Sequence, residues 1–307
     1  MATILDASAL IGAEAKNFGS NVRFNGGKTL VFEADESDAS FLHSNPTVAI
    51  VTNAEPEHME YYDYDLDKFY GAYKQFLSLA KTTIINAEDP FLAEWSGDAI
   101  RLYPSKDIKN IQYKLIDGEP FTIFELLNLG EFAVYGFGDH IAVDASLAIL
   151  AASLRLSIDD IRANIRNYRG IKKRFDILKT NNFFAVIDDY GHHPTEIQTT
   201  LKAALEYKKL LGLKTLTAIW QPHKYSRTLH NMAHFVQCFE GVDSLAILPV
   251  WAASENPIEL NLSEHFKQYH PIFANSVQEV KGLCDLTQGL VIGFGAGNLT
   301  YQLHDSL

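Results

Sequence analysis

Phe184-Ala185-Val186-Ile187-Asp188-Asp189-Tyr190-Gly191-His192-His193-Pro194-Thr195-Glu196 is an apolar run that stops at paired aspartates and turns polar. A short apolar run bounded by turn residues reads as a buried strand. Thr195 or a neighbour then caps a helix. The same grammar repeats downstream. Leu216–Trp220 precedes a helix around Thr228–Phe239, Ser244–Val250 precedes one near Ser263–Tyr269, and Leu290–Phe294 precedes a tight turn and a final helix. Strands alternating with helices predict an α/β fold with a mostly parallel sheet. Ligands in such sheets bind in loops beyond the strands' C-terminal ends.

Upstream, Arg169-Gly170-Ile171-Lys172-Lys173-Arg174-Phe175-Asp176 is a basic junction, and the chain resets there. It divides two expected domains, 1–172 and 173–307. In the first, Ile4, Leu5, Ala9, Leu10 and Ile11 recur at helical spacing. Asn25-Gly26-Gly27-Lys28 is a turn signal, read as a hairpin. Thr29–Ala34 and Thr47–Thr52 read as strands, Leu66–Leu79 as a helix, and Thr82–Ile85 as a strand. Residues 100–135 read as short strands and hairpins, followed by helices at Ile141–Leu154 and Ile158–Asn167.

With 307 residues and 47% hydrophobic content the chain can bury two cores. No run approaches the ~18–20 apolar residues of a membrane span. The start, MATILDASALIGAEAK, has neither a basic nor an apolar signal region. The two cysteines, Cys238 and Cys284, imply no disulfide framework and fit a reducing cytoplasm. A net charge of -12 argues against a nucleic-acid partner, while local basic clusters remain able to hold a phosphorylated small molecule.

Four polar loops follow strands. Glu33, Asp35, Glu36 and Asp38 suit a hard divalent cation such as Mg²⁺, or form a solvated acidic loop. Thr52–Glu60 places His58 among carboxylates, as a metal ligand or as a surface histidine. Asp188–Glu196 offers a helix start for an anion; a zinc reading of His192 and His193 lacks a partner set with structural-zinc spacing. Gln221–Thr228 sets Lys224 and Arg227 three residues apart, as a carboxylate or phosphate fork or as a basic helix start. Neither glycine-rich signal matches a nucleotide motif. Gly26-Gly27-Lys28-Thr29 has Val22 where a P-loop needs glycine, and Gly293-Phe294-Gly295-Ala296-Gly297-Asn298 has Asn298 in the last glycine position.

EADESDASF, VTNAEPEHME, KKRFD, DDYGHHPTEI and QPHKYSRT, in that order, resemble the Mur ligases and, within them, an alanine-adding branch. The resemblance runs from the first residues to the last. It implies three domains: one for the UDP-sugar, a central P-loop domain for ATP, and a Rossmann-like domain for the amino acid. By this resemblance the chain opens on the helix after the P-loop. Residues 1–172 are then a truncated central domain without its P-loop, and 173–307 the amino-acid domain. The implied reaction is ATP-dependent amide formation through an acyl phosphate, joining UDP-N-acetylmuramate to L-alanine with Mg²⁺ in cell-wall precursor synthesis. Phosphoryl transfer depends mainly on positioning and charge neutralisation. Glu33 and His58 are the implied metal residues, with Glu36 the alternative to Glu33. Arg174 and Asp189 are placed on the nucleotide and the domain orientation. Tyr190, His192, His223, Lys224 and Arg227 are placed on the alanine and acyl-phosphate side.

The chain departs from the family in places. Relatives commonly read GxHNxxN where this chain has Gly138-Asp139-His140-Ile141-Ala142-Val143-Asp144. Ile141 and Asp144 replace two asparagines near the nucleotide, and Asp144 adds negative charge there. Tyr73 stands where sister ligases carry a carbamylated lysine, and Lys224 where many carry arginine. Three readings follow: an alanine ligase inactive as this chain alone, a non-catalytic half that binds the missing domain in trans, or a recycling ligase that adds a tripeptide.

Overall fold

The structure is a computed structural model and describes residues 1–306. Two compact units divide the chain. The first comprises Met1–Gln112, Phe121–Tyr135 and Asp139–Arg169; the second comprises Tyr113–Pro120, Gly136–Gly138 and Gly170–Leu307. The expected division at 172/173 falls just inside the second unit, which begins its long segment at Gly170.

The strands numbered in chain order are β1 (Ser8–Ala15), β2 (Ser20–Arg23), β3 (Leu30–Phe32), β4 (Val48–Val51), β5 (Thr82–Asn86), β6 (Ile100–Leu102), β7 (Ile108–Ile116), β8 (Glu119–Leu126) and β9 (Gly130–Tyr135). They form sheets ordered β2-β1-β3, β4-β5-β6 and β7-β8-β9. The β4-β5-β6 sheet is parallel and covered on both faces. Ile84 and Ile85, adjacent and fully buried, point into different cores because strand side chains alternate. Ile84 packs with the helix Asp139–Ala152, which is apolar around most of its circumference. Ile85 packs with the helix Leu66–Leu79, which buries Phe69, Tyr73, Phe76 and Leu77. Asp65 starts that helix by accepting from the amides of Asp67 and Lys68.

The opening segment departs from expectation. Only Ala2–Leu5 is helical. Asp6, at φ 46°, ends it, and Ser8–Ala15 extends as β1. Strand pairing on both sides overrides the helical spacing of an Ala-rich stretch: β1 runs antiparallel to β2 and parallel to β3. Asn25–Lys28 is therefore no hairpin, since the strands it joins lie on opposite edges of β1.

The second unit is a six-stranded sheet, with β10 (Asp176–Thr180), β11 (Phe184–Asp189), β12 (Leu216–Trp220), β13 (Ser244–Ile247), β14 (Ile272–Phe273) and β15 (Gly289–Phe294) in the order β10-β11-β15-β12-β13-β14. All pairs are parallel except β10–β11. Ala185 and Ile187 face the helices Pro194–Leu210 and Met232–Cys238; Val186 and Val291 face Val277–Leu283 and Leu299–Ser306. Fully burying a side chain such as Ile187 contributes ~1.5–3 kcal/mol. The helix expected over Thr228–Phe239 is two helices, Tyr225–His230 and Met232–Cys238, which meet at Asn231.

Register positions the chemistry. Asp189 pairs with Phe294, and Phe294 with Trp220, so β11, β15 and β12 end level with one another. The loops that follow them emerge side by side. Among the described residues no helix is long and apolar enough to cross a membrane.

Candidate functional site

Asp189 is the buried anchor of the second unit's loops. Its Oδ2 accepts from the Phe175 amide and its Oδ1 from the Gly191 amide, both at 2.8 Å. The Tyr190 amide donates to the Lys173 carbonyl at 2.7 Å. These bonds fasten the basic junction to the end of β11 and fix where Arg174 leaves the backbone. Burial pushes the Asp189 carboxyl up to about 6, against the two amide donors and Arg174, which pull it down. Gly191 is required at its position: a Cβ there would sit 2.7 Å from Asp189 Oδ1.

Glu196, in the first turn of the helix Pro194–Leu210, gathers the next group. Its Oε2 accepts from the amides of His192 (3.0 Å) and His193 (3.2 Å), and its Oε1 accepts from Arg174 Nη1 at 3.1 Å. A glutamate reaching back to the helix start is one half of a capping box. Burial alone would raise the Glu196 carboxyl, but His192, Arg174 and the amide donor hold it below the usual range. The Arg174 guanidinium lies 5.6 Å from the Tyr190 ring centre. His192 Nδ1 lies 3.1 Å from the Tyr190 carbonyl oxygen, and its ring meets Tyr190 and His223 edge-on, at 5.3 and 5.6 Å.

The loop after β12 completes the constellation. His223 Nδ1 is 3.1 Å from Arg227 Nη1. Burial lowers the His223 imidazole to about 4, and His192, Arg227 and Lys224 add to the effect, while Glu255 opposes it. Lys224 takes the helix N-cap position at φ 65°, and its amide donates to the Trp251 carbonyl at 2.9 Å. Gln221 Nε2 donates to Asn298 Oδ1 at 2.8 Å, which ties this loop to the one after β15. The structure thus gathers Arg174, Asp189, Tyr190, His192, His223, Lys224 and Arg227 at the level ends of β11 and β12. Residue-by-residue reading gave no role to Glu196, Glu255, Gln221 or Asn298. Glu196 was findable as the acidic residue three positions after the helix cap; the others act across long sequence separations.

In the first unit Glu36 lies within electrostatic reach of His58. Burial raises the Glu36 carboxyl, with Asp35 and Glu57 pushing the same way and His58 opposing. The Tyr62 hydroxyl donates to the Glu36 carbonyl, and Tyr62 is itself pushed up to about 12, chiefly by burial. Tyr73 is buried among Phe41, Phe69 and Phe91. Glu33 is turned elsewhere: its Oε2 accepts from the Gly12 amide at 2.6 Å. His58 holds a left-handed backbone at φ 53°, unusual for a non-glycine residue. Asp144 is reached by solvent yet crowded by protein, and that crowding pushes its carboxyl up to about 6. Tyr168 feels the Asp144 charge. His140, in the same helix Asp139–Ala152 as Asp144, has a buried Nδ1 without a hydrogen-bond partner. Among the described residues no three His, Cys, Asp or Glu side chains form a metal-holding group. A nucleotide-bound Mg²⁺ takes most of its ligands from phosphate and water, so one or two protein groups suffice. The net negative charge that Asp35 and Glu57 place beside Glu36 fits such a cation.

A parallel sheet with convergent imidazole, guanidinium and carboxylate groups at its strand ends, in a chain that also carries a separate α/β unit, defines the class. The chain belongs to the Mur ligase family: residues 15–152 match the Mur ligase middle domain, and residues 173–287 the Mur ligase glutamate ligase domain. It is 53% identical over 313 residues to the UDP-N-acetylmuramate–L-alanine ligase of Campylobacter curvus, covering 99% of this chain and 72% of that protein. The ligase of the same name from Helicobacter pylori is 53% identical over 311 residues, covering 97% of this chain and 69% of that one. The solved UDP-N-acetylmuramate–alanine ligase of Thermotoga maritima superposes with a TM-score of 0.80 at 21% identity, over 99% of this chain and 69% of that one, which shows the shared fold.

Proposed function

We propose that this chain carries the metal-side and amino-acid-side residues of a UDP-N-acetylmuramate–L-alanine ligase acting in the cytoplasm. The observation that supports it most is the gathering of Arg174, His192, His223 and Arg227 around Asp189 and Glu196, in a chain so similar to ligases of that name. When bound, ATP and Mg²⁺ supply the phosphoryl group and the neutralising charge that turn the sugar acid into an acyl phosphate.

The chain's own residues position and bind. Glu36 and His58 would hold the cation, while Glu33, bonded to the Gly12 amide, is turned away from it. Arg227 and Lys224 receive the carboxylate of L-alanine, the guanidinium through its planar fork. His223 is neutral at physiological pH and accepts from Arg227 through Nδ1. Its proton therefore sits on Nε2, which serves as a donor toward the reacting carbonyl. Glu196 aims Arg174 and His192, and the Tyr190 ring lies against both. Asp189 holds the junction in register, so Arg174 keeps one position against the nucleotide.

A P-loop supplies backbone amides, a phosphate-binding lysine and a metal-binding hydroxyl together. None of these 307 residues forms that motif. The expected result for this polypeptide, given ATP, Mg²⁺, UDP-N-acetylmuramate and L-alanine, is no phosphate release above background. Fusing the N-terminal region of the Campylobacter curvus relative to it restores release that depends on L-alanine and not on a tripeptide. A folded fusion that responds to neither, or to the tripeptide alone, sinks the reading.

One observation favours a second reading, in which a separate polypeptide carrying the remaining part of the ligase docks here. Leu10 pairs with Val22 and with Phe32, so all three share one face of the β2-β1-β3 sheet. Leu30 extends that row by strand alternation, Phe24 directly follows β2, and all five are exposed, Phe24 at 85%. A contiguous apolar face of this kind marks an interaction site. Sedimentation of this chain mixed with the N-terminal region of the relative tests it. A complex that Phe24→Asp abolishes supports the reading, and independent sedimentation of the two removes it.

A further inference from the structure

We propose that Glu255 is a positioning residue: it caps the helix Tyr225–His230 from a neighbouring loop and thereby holds Arg227 against His223. The inference rests on the reading of His223, Lys224 and Arg227 as the amino-acid side.

A helix start needs an acceptor for its first amides. The residue at the N-cap position is Lys224, which has no acceptor in its side chain and makes no side-chain cap bond. Its backbone, at φ 65°, is in a region that L-residues other than Asn and Asp seldom adopt. The missing acceptor comes from Glu255, 29 residues beyond Ser226. Glu255 Oε2 accepts from the Ser226 amide at 3.0 Å, and Oε1 from the Ser226 hydroxyl at 2.5 Å. The Tyr225 amide also donates to this carboxylate, and these donors outweigh burial and hold it below the usual range. Two more bonds stitch the same loops together: Lys224 amide to Trp251 carbonyl at 2.9 Å, and Trp251 amide to Pro222 carbonyl at 2.7 Å. Ala253 and Ser254, at φ 45° and 74°, bend the loop so that Glu255 reaches the helix. Arg227 is one turn into the capped helix, and its Nη1 faces His223 Nδ1. Fraying of the first turn would release that contact.

Positioning and plain electrostatics predict opposite signs. The charged groups facing His223 are His192, Arg227, Lys224 and Glu255, and the Glu255 charge by itself raises the imidazole. If that charge were its whole effect, Glu255→Ala would lower the His223 titration further. If Glu255 holds Arg227 in place, the same change frees the imidazole from the guanidinium and His223 titrates at higher pH. Glu255→Gln keeps an oxygen acceptor for the helix start without the charge, so His223 stays low, as in the parent chain.

The experiment is an NMR titration of the histidine rings in the parent chain, Glu255→Ala and Glu255→Gln, with His223 assigned through His223→Gln. Amide exchange at Tyr225 and Ser226 is followed in parallel. The expected result is an upward shift for Glu255→Ala alone, with exchange at those amides faster by about fivefold. An unchanged or lowered His223 in a folded Glu255→Ala overturns the proposal. Ser226→Ala, which removes one of the bonds, moves His223 in the same direction by less. Titrating the parent chain with L-alanine separates the two claims. If His223 does not respond, the amino-acid reading fails, while the variants still report on the cap.

Discussion

Arg227 Nη1 lies 3.1 Å from His223 Nδ1, so a guanidinium donor fixes which imidazole nitrogen is free of a proton. Burial keeps the imidazole neutral, and the positive charges of His192 and Arg227 beside it add to the effect. Arg227→Ala is expected to raise the His223 titration and to weaken L-alanine binding about tenfold or more, the scale of a lost charged hydrogen bond. Arg227→Lys keeps the charge without the fork and recovers only part of that affinity. Histidine NMR and calorimetric titration with L-alanine measure both. Unchanged affinity in Arg227→Ala removes Arg227 from the amino-acid site.

Asp189 and His223 impose opposite pH dependences on the second unit. The Asp189 carboxyl is raised from 3.8 to about 6, so the folded chain holds a proton that the unfolded chain has released. That contribution is full at low pH and is lost as pH rises through 6. His223 is lowered from 6.5 to about 4, so here the unfolded chain binds the extra proton. Its contribution is present above 6.5 and disappears as pH falls through 4. Between about pH 4 and 6.5 the two slopes oppose each other. Asp189→Asn should therefore melt with a steeper rise in Tm over this window than the parent chain, and His223→Gln with a shallower rise or a fall. Thermal melts of the three proteins at matched pH values decide it; identical slopes would show that neither group titrates as described.

Much of this arrangement was legible from residue order, and the part that was not has physical causes. The strands ending at Val51, Asp189 and Trp220 announced themselves as apolar runs that turn abruptly polar. Period and punctuation are local signals, and they survive folding. β1 was not legible, because Ala9, Leu10 and Ile11 fit a helix as well as a strand until β2 and β3 pair with them. β14 has two residues and carries no period at all. Within the site, Arg227 and His223 are four apart and belong to one motif, whereas Glu255 meets Ser226 only because the loops after β12 and β13 are neighbours. The choice between Glu33 and Glu36 turned on side-chain direction, which a run of carboxylates does not encode.

Gly191 tests how tightly Asp189 is held. A methyl group at this position would lie 2.7 Å from Asp189 Oδ1 and 3.4 Å from a Phe294 ring carbon. Neither neighbour yields easily: the carboxylate is bonded to two amides and Phe294 is fully buried in β15. Gly191→Ala should cost about 1–3 kcal/mol, the usual scale for overpacking. It should also release the Phe175 amide to exchange, since the carboxylate must move. Denaturant unfolding and hydrogen exchange measure the two effects. A variant as stable as the parent chain, with Phe175 still protected, contradicts the packing described.

The last prediction separates the two glutamates of the acidic loop. Glu36 senses His58, whereas the Glu33 carboxylate is occupied by the Gly12 amide. A divalent cation is drawn to the carboxylate whose charge is least compensated, because oxygen ligands and net negative charge set its affinity. Millimolar Mn²⁺ should therefore broaden the His58 ring signals, and Glu36→Gln should abolish the effect. Glu33→Gln should leave the broadening in place. It should instead loosen the hold on Gly12, seen as faster exchange of that amide. If Glu33→Gln removes the Mn²⁺ effect and Glu36→Gln does not, the cation belongs to Glu33. Its carboxylate must then swing away from β1 to bind, at the cost of one charge-assisted hydrogen bond of roughly 1.5–3 kcal/mol.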